Sequence, residues 1–225
     1  MKAFIFAAGL GTRLKPLTDT MPKALVPIAG KPLLEHLILK MKHSGFDEIV
    51  INVHHFAEQI IDFLEQKQNF GIRIHISDER QMLLETGGGI KHAAHLFTSD
   101  EPILIHNVDI LSNVDLAQFY KMHAKSSLAT LLVSERQSSR YLLFDEQNRL
   151  MGWTNRQTSE VKTPYESLDI DACQRFAFAG IHVVSPTIFD LMEEWSGAFS
   201  IIDFYLALAK QENIFSVVKN DLQLL

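Results

Sequence analysis

Residues 3–32 read AFIFAAGLGTRLKPLTDTMPKALVPIAGKP, and this stretch decides the fold. It starts with a short apolar run, Ala3 to Ala8, of the kind that fills a buried strand. Gly9 and Gly11 follow directly, in the series Gly9-Leu10-Gly11-Thr12-Arg13-Leu14. A glycine-rich loop on the end of a buried strand lets backbone N–H groups approach an anion with no side chain between them. Cations come next, Arg13 and Lys23 among them, in a segment stiffened by Pro16, Pro22, Pro27 and Pro32. A guanidinium suits paired contacts to phosphate oxygens, and an ammonium acts as a mobile point charge. The order strand, glycine loop, held cations implies phosphate chemistry.

Spacing excludes two common phosphate loops. A dinucleotide fingerprint needs a third glycine opening a helix and an acidic residue about 20 residues further on. Here the third glycine is missing, and Pro16 and Pro22 forbid an immediate long helix. A Walker A loop needs Gly-Lys-Ser/Thr after four spacers, whereas Gly11 is followed by Thr12-Arg13.

Working outward, strand and helix signals alternate. Leu34, Leu37, Ile38 and Met41 share a helical face, with Gly45 as a stop. Residues 48–53 read as a strand, 56–67 as a helix, 72–76 as a half-exposed strand and 102–106 as an apolar strand. Glu85-Thr86-Gly87-Gly88-Gly89 reads as a second loop leading into a helix through Phe97, where a flat ligand or a phosphate could approach the backbone. Asp115 is placed to cap a helix through Lys125, and 128–133 is a further strand. Strands joined by turns follow over 141–184, then a helix after Ser185-Pro186, a cap at Ser200 and a last strand at 214–218. The early alternation predicts an α/β fold, a Rossmann-like three-layer sandwich with a mixed, mainly parallel sheet. No linker or repeat divides the chain, so residues 1–225 read as a single domain. Its first half, about 1–110, carries the phosphate-loop signals.

Ligands of open α/β sheets sit beyond the carboxyl ends of the strands. Asp109 follows the 102–106 strand in Asn107-Val108-Asp109 and so becomes the candidate metal carboxylate. The ten histidines form no metal constellation, and Cys173 has no motif around it.

From Gly9 to Pro32 the sequence matches, position by position, G-x-G-x-R-x-x-P-L-T followed by P-K-x-L-x-P-I-x-G-K-P. In this it resembles the sugar-1-phosphate nucleotidylyltransferases. The ETGGGI run, Glu85 to Ile90, looks most like the N-acetylmuramate-1-phosphate uridylyltransferases, with the mannose-1-phosphate guanylyltransferases as close relatives. The resemblance implies the nucleotide-diphospho-sugar transferase type of fold, with a nucleoside triphosphate, UTP in preference to GTP, and a sugar 1-phosphate as partners. It implies Arg13 and Lys23 as catalytic cations, and nucleotide contacts from Ala7, Ala8, Gly9, Gly11, Thr12, Arg13, Thr86 and Gly87. It further implies sugar-phosphate contacts from Asn107, Gly152 and Gly180, and Mg²⁺ on Asp109. That the first half, about 1–110, binds the nucleotide while the second half, about 111–225, binds the sugar is also what the resemblance implies. Two positions depart from the family pattern. Val108 stands where relatives carry glycine, and no W-x-D-V-G-T-P motif with its second metal aspartate appears before Leu225. The second departure leaves a non-catalytic nucleotide-sugar binding subunit as the alternative to an enzyme.

Composition narrows the rest. A net charge of −6 argues against a nucleic-acid surface, and a single cysteine fits a reducing compartment. No run approaches the ~20 apolar residues of a membrane span, and the start lacks a signal-peptide pattern. The expectation is a cytoplasmic protein that binds neither nucleic acid nor membrane. The sequence carries no signal for an oligomeric state.

Overall fold

The computed structural model describes residues 1–223. Four parallel strands come first: β1 (Lys2–Phe6), then α1 (Leu33–His43), β4 (Glu48–Val53), α2 (Ala57–Gln66), β5 (Arg73–Asp78), α3 (Glu85–His92) and β6 (Ile103–Asn107). A two-residue hairpin, β2 (Pro27–Ile28) and β3 (Lys31–Pro32), interrupts the first connection. The second half holds α4 (Leu116–Lys121), β7 (Ala129–Ser134), β8 (Arg140–Phe144), β9 (Leu150–Asn155), β10 (Glu160–Lys162), β11 (Gln174–Val184), α5 (Ile188–Leu191), α6 (Ile201–Leu208) and β12 (Ile214–Val218).

The main sheet runs β12-β7-β11-β6-β1-β4-β5. Only β11 opposes the others, giving a mixed, mostly parallel sheet with helices on both faces. β11 is long enough to serve two sheets. Its last residues pair with β6, and its first pair with β8, which starts the antiparallel ribbon β8-β9-β10. A bulge between Phe178 and His182 marks the change of partner. β11 thus joins the parallel half to the antiparallel half.

Alternating side chains fill two cores, one per face. Ala3 and Ile5 pack with Leu34, Leu37, Ile38 and Met41 of α1. Phe4 packs on the opposite face with Ile90, Ile105 and Phe204. Each side chain of this size contributes roughly 1.5–3 kcal/mol when fully buried, so four of them hold α1 well beyond its helix propensity. Among the described residues no helix is long and apolar enough to cross a membrane.

The expected caps form: Asp115 accepts from the Gln118 N–H at 2.9 Å, and Ser200 from the Ile202 N–H at 3.2 Å. One local expectation is corrected. Glu85 to Gly89 is not a loop before a helix but the first turns of α3. The glycines answer a packing demand: a Cβ on Gly87 would meet the Phe199 ring at 2.3 Å, and one on Gly88 the Gly197 carbonyl at 2.5 Å. α3 can lie against the 197–199 segment only because these side chains are absent.

Candidate active site

The strand ends of β1, β4, β5 and β6 open onto a cavity of about 260 Å³. The β1 backbone turns there at Ala7 and Ala8, both buried, whose N–H groups donate to Asn52 Oδ1 at 2.7 and 3.2 Å. Asn52 in turn donates through Nδ2 to Glu79 Oε1 at 2.7 Å. The second Glu79 oxygen accepts from the Leu84 N–H at 3.3 Å. Burial pushes the Glu79 carboxyl up from its ordinary value, against the lowering pull of the Asn52 and Leu84 bonds. One side chain from β4 thus ties the glycine loop to the residue that follows β5.

Gly9 lines the cavity. Gly11 is left-handed at φ 63° and starts a 3-10 turn over Thr12–Leu14. A Cβ there would also strike Thr18 Cγ2 at 2.8 Å, so both conformation and space demand glycine. Thr18 Oγ1 donates to the Gly11 carbonyl at 2.9 Å and closes the loop. Two further 3-10 turns, Leu17–Asp19 and Lys23–Leu25, carry the chain back, so the proline-rich segment holds its cations on ordered backbone.

Lys23 enters the cavity from the last of these turns and forms an ion pair with Asp109. Both side chains are partly accessible, at 18% and 31%. Asp109 lies just beyond β6, where the Val108 N–H donates to the Phe6 carbonyl at 3.1 Å and aligns the two strand ends. Among the described residues no group of three or more His, Cys, Asp or Glu side chains could hold a metal ion. Asp109, which shares the cavity lining with Glu79 and Glu85, still suits Mg²⁺, which is commonly held by one or two carboxylates plus substrate phosphates. Asp221 pairs instead with Lys219 at 2.9 Å and lines neither this cavity nor its neighbour.

A second cavity, about 630 Å³, lies on the β8-β9-β10 side. Its aromatic lining is Tyr141, Trp153 and Phe178, and its charged lining is Arg13, Arg136, Arg140, Lys162 and Asp203. The two cavities adjoin through one bond: Thr86, which lines the first, accepts at Oγ1 from the Ile201 N–H at 2.9 Å, between Ser200 and Ile202 of the second.

The sequence-derived candidates therefore divide. Ala8, Gly9, Lys23, Thr86, Asn107 and Asp109 line the first cavity, with Ala7 directly behind. Thr12 is exposed on the loop, and Arg13 faces the second cavity. Gly87 is buried in α3, its N–H donating to the Phe199 carbonyl at 2.8 Å, so that donor is already used. Gly180 sits at the β11 bulge with φ 71°, where a Cβ would fall 2.7 Å from Asn107 Nδ2; the pair is brought together. Gly152 is not: it packs under the Lys162 carbonyl, 2.9 Å from its notional Cβ, while its neighbour Trp153 reaches the second cavity. Sequence reasoning missed Asn52, Glu79, Arg136, Arg140 and Lys162. An asparagine inside the otherwise apolar run IVINV was the one readable signal among them.

A family model described as Nucleotidyl transferase matches residues 2–217. Over 109 residues the chain is 46% identical to the N-acetylmuramate alpha-1-phosphate uridylyltransferase of Caulobacter vibrioides, covering 48% of this chain and 45% of that protein. Over 195 residues it is 28% identical to the mannose-1-phosphate guanyltransferase of Yarrowia lipolytica, covering 86% and 52%. The chain spans about half the length of the curated relatives it matches. Among solved structures, HddC from Yersinia pseudotuberculosis complexed with GMP-PN aligns at TM-score 0.78 and 21% identity, over 100% of this chain and 92% of that one. At that identity the likeness shows the fold.

Proposed function

The chain belongs to the nucleotidyl transferase family, and from that premise we propose that it transfers a nucleoside monophosphate from a nucleoside triphosphate to a sugar 1-phosphate, releasing pyrophosphate. The observation that carries this reading is the meeting of Lys23 and Asp109 in the cavity beside the glycine loop. A cation and a carboxylate able to take a metal stand at one point, next to backbone built for phosphate.

A sugar-phosphate oxygen forms a bond to the α-phosphorus, and the bond from that phosphorus to the β-bridging oxygen breaks. The electron pair leaves with pyrophosphate. The attacking phosphate, with a second pKa of about 6, is already charged at neutral pH, so no general base is needed. The work of the site is positioning and charge neutralisation. Lys23 turns from Asp109 to the α-phosphate or the incoming phosphate. Arg13, with the amides of Gly9 and Gly11, holds the β- and γ-phosphates. Asp109 would hold Mg²⁺ together with the substrate phosphates, and the ion would neutralise charge on the departing pyrophosphate.

The first cavity takes the base, with Glu79 and the backbone at Ala8 as its polar contacts and Thr86 at its edge. UTP is the favoured donor, on the identity to the Caulobacter relative, and the uracil ring N–H would give Glu79 its proton contact. Residues from about 111 onward, with Asn107 and Gly180, take the sugar. A pyrophosphate-release screen with Mg²⁺, four nucleoside triphosphates and a panel of sugar 1-phosphates tests the reading. Release that requires both substrates, greatest with UTP, is the expected result; no release from any pair overturns it.

A further inference from the structure

Resting on the nucleotidyl-transfer reading above, in which the base meets Glu79, we propose that Asn52 is the positioning residue behind the choice of base. It fixes Glu79 as a pure hydrogen-bond acceptor, so that the cavity takes bases carrying a ring N–H on their pairing edge and refuses those presenting a bare ring nitrogen there. Uracil belongs to the first class and cytosine to the second.

An asparagine amide has a donor end and an acceptor end, and its surroundings decide which way it lies. Asn52 is 2% exposed, within a strand whose six residues are all buried. The Ala7 N–H at 2.7 Å and the Ala8 N–H at 3.2 Å converge on one of its two terminal atoms. Both are backbone donors, so that atom is the oxygen. Nδ2 is thereby turned to Glu79 Oε1, at 2.7 Å, and Oε1 has to accept. Glu79 Oε2 accepts from the Leu84 N–H at 3.3 Å. The backbone of the glycine loop thus dictates, through one amide, the hydrogen-bonding sense of a carboxylate.

Glu79 differs from the other acids around the two cavities. Asp109 pairs with Lys23 and Asp203 with Lys162, while Glu85 is exposed and without a partner among the described residues. Glu79 is buried and receives N–H donors on both oxygens. Each carboxylate oxygen has two lone pairs, so one on each remains for a ligand. Its backbone is pinned as well: the Glu79 N–H donates to the Val53 carbonyl at 2.8 Å, and the Glu79 carbonyl accepts from His54 Nδ1 at 2.6 Å. A Cβ on Gly89 would stand 2.8 Å from Glu79 Oε1 and 3.3 Å from Asn52 Nδ2, so the third glycine of α3 leaves room for this pair. Burial raises the Glu79 pKa, and the Asn52 bond is foremost among the contacts that oppose it. Loss of that bond favours the protonated carboxyl, which donates as well as accepts. A fixed acceptor gains a bond from a ring N–H and meets a lone pair on a bare ring nitrogen, and a site built around such a bond rejects the analogue without the hydrogen.

Calorimetric titration with Mg²⁺ and no sugar phosphate reads the choice directly. UTP, CTP and 3-methyl-UTP, which keeps the uracil ring and loses only its N–H, are titrated into the parent chain, N52A and N52D, each first checked for folding by circular dichroism. UTP is expected to bind the parent roughly 10–100-fold more tightly than either other nucleotide, in line with leaving one buried charged acceptor without its donor. N52D keeps an acceptor for the Ala7 and Ala8 N–H groups and removes only the donor to Glu79, so it carries the test where N52A fails to fold. Each folded variant is expected to lose about tenfold of the UTP-to-CTP preference. Equal affinity of the parent for UTP and CTP overturns this inference and leaves nucleotidyl transfer standing. So does a preference that N52D retains, and so does 3-methyl-UTP binding as tightly as UTP. Binding of none of the three overturns the assignment of this cavity to the base as well.

Discussion

The two cavities are built on opposite electrostatic plans. In the first, most polar groups are already matched, Lys23 with Asp109 and Asn52 with Glu79 and the Ala7 and Ala8 amides, and among its charged groups Glu85 alone has no ion-pair or hydrogen-bond partner among the described residues. In the second, only Lys162 and Asp203 are matched, and three guanidiniums remain. The first lies beyond parallel strand ends, where several chain segments converge by topology. The second is walled by an antiparallel ribbon and a connection between strands. A site whose charges are internally paired is held in shape before a ligand arrives and must exchange one of those pairs to bind. A site of unpaired cations draws its anion directly. Within one chain, the paired cavity and the cation-lined one are therefore walled by different parts of the fold, with Arg13 reaching from the glycine loop into the second.

Breaking the matched pair is expected to have the largest effect. Lys23→Ala and Asp109→Ala should each lower the rate of pyrophosphate release about 10²–10³-fold, the range for removal of one preorganised charge contact. Their thermal unfolding should stay near that of the parent chain, because a partly exposed ion pair contributes about 0–1 kcal/mol. Turnover retained in either variant would mean that the first cavity is not where bonds are exchanged.

The seam between the cavities can be tested next. Gly87 lies at this seam beside Thr86, with its notional Cβ inside the Phe199 ring. Gly87→Ala should force α3 and the 197–199 segment apart and cost about 3 kcal/mol in denaturant unfolding, the upper end of the range for overpacking. An unchanged midpoint would show that the seam yields freely and that α3 does not hold the cavities in register.

This seam also shows where the sequence stopped being readable. β1, its glycine loop and Asp109 after β6 were legible because each is a local pattern: an apolar run, a glycine pair, an acid beyond a strand. The alternation of strand and helix gave the parallel half. The role of Glu85 to Gly89 was misread because three glycines argue locally for a loop. The partner that makes them fit a helix, Phe199, lies more than a hundred residues away. Asn52 and Glu79 were missed for the same reason, being joined across 27 residues and tied to a loop 45 residues back. Arg136 and Arg140 carry no motif at all. Only the reversal of β11 brings their connection round to the cavity that Arg13 also lines.

The smallest expected effect contrasts the paired polar groups of the first cavity with an unpaired one behind the second. His182 of β11 is buried against the Phe178 and Tyr205 rings, and neither ring nitrogen has a hydrogen-bond partner. Burial, with the neighbouring His106 adding to it, lowers its pKa to about 3. The folded pKa is therefore below the unfolded value of about 6.5, and the unfolded chain binds the extra proton between the two. Stability is full above pH 6.5 and falls as the pH drops through that window. At pH 5 the loss from this one ring is about 2 kcal/mol. His182→Phe keeps a flat ring against Phe178 and Tyr205 and removes the proton site. Urea unfolding at pH 8 and pH 5 should then show a drop between the two that is smaller by about that amount. The residual drop belongs to His106 and His123, each lowered to about 4 by burial. An identical drop in the variant would mean that His182 finds a proton partner in the folded chain, and that the wall behind the second cavity is as well matched as the first.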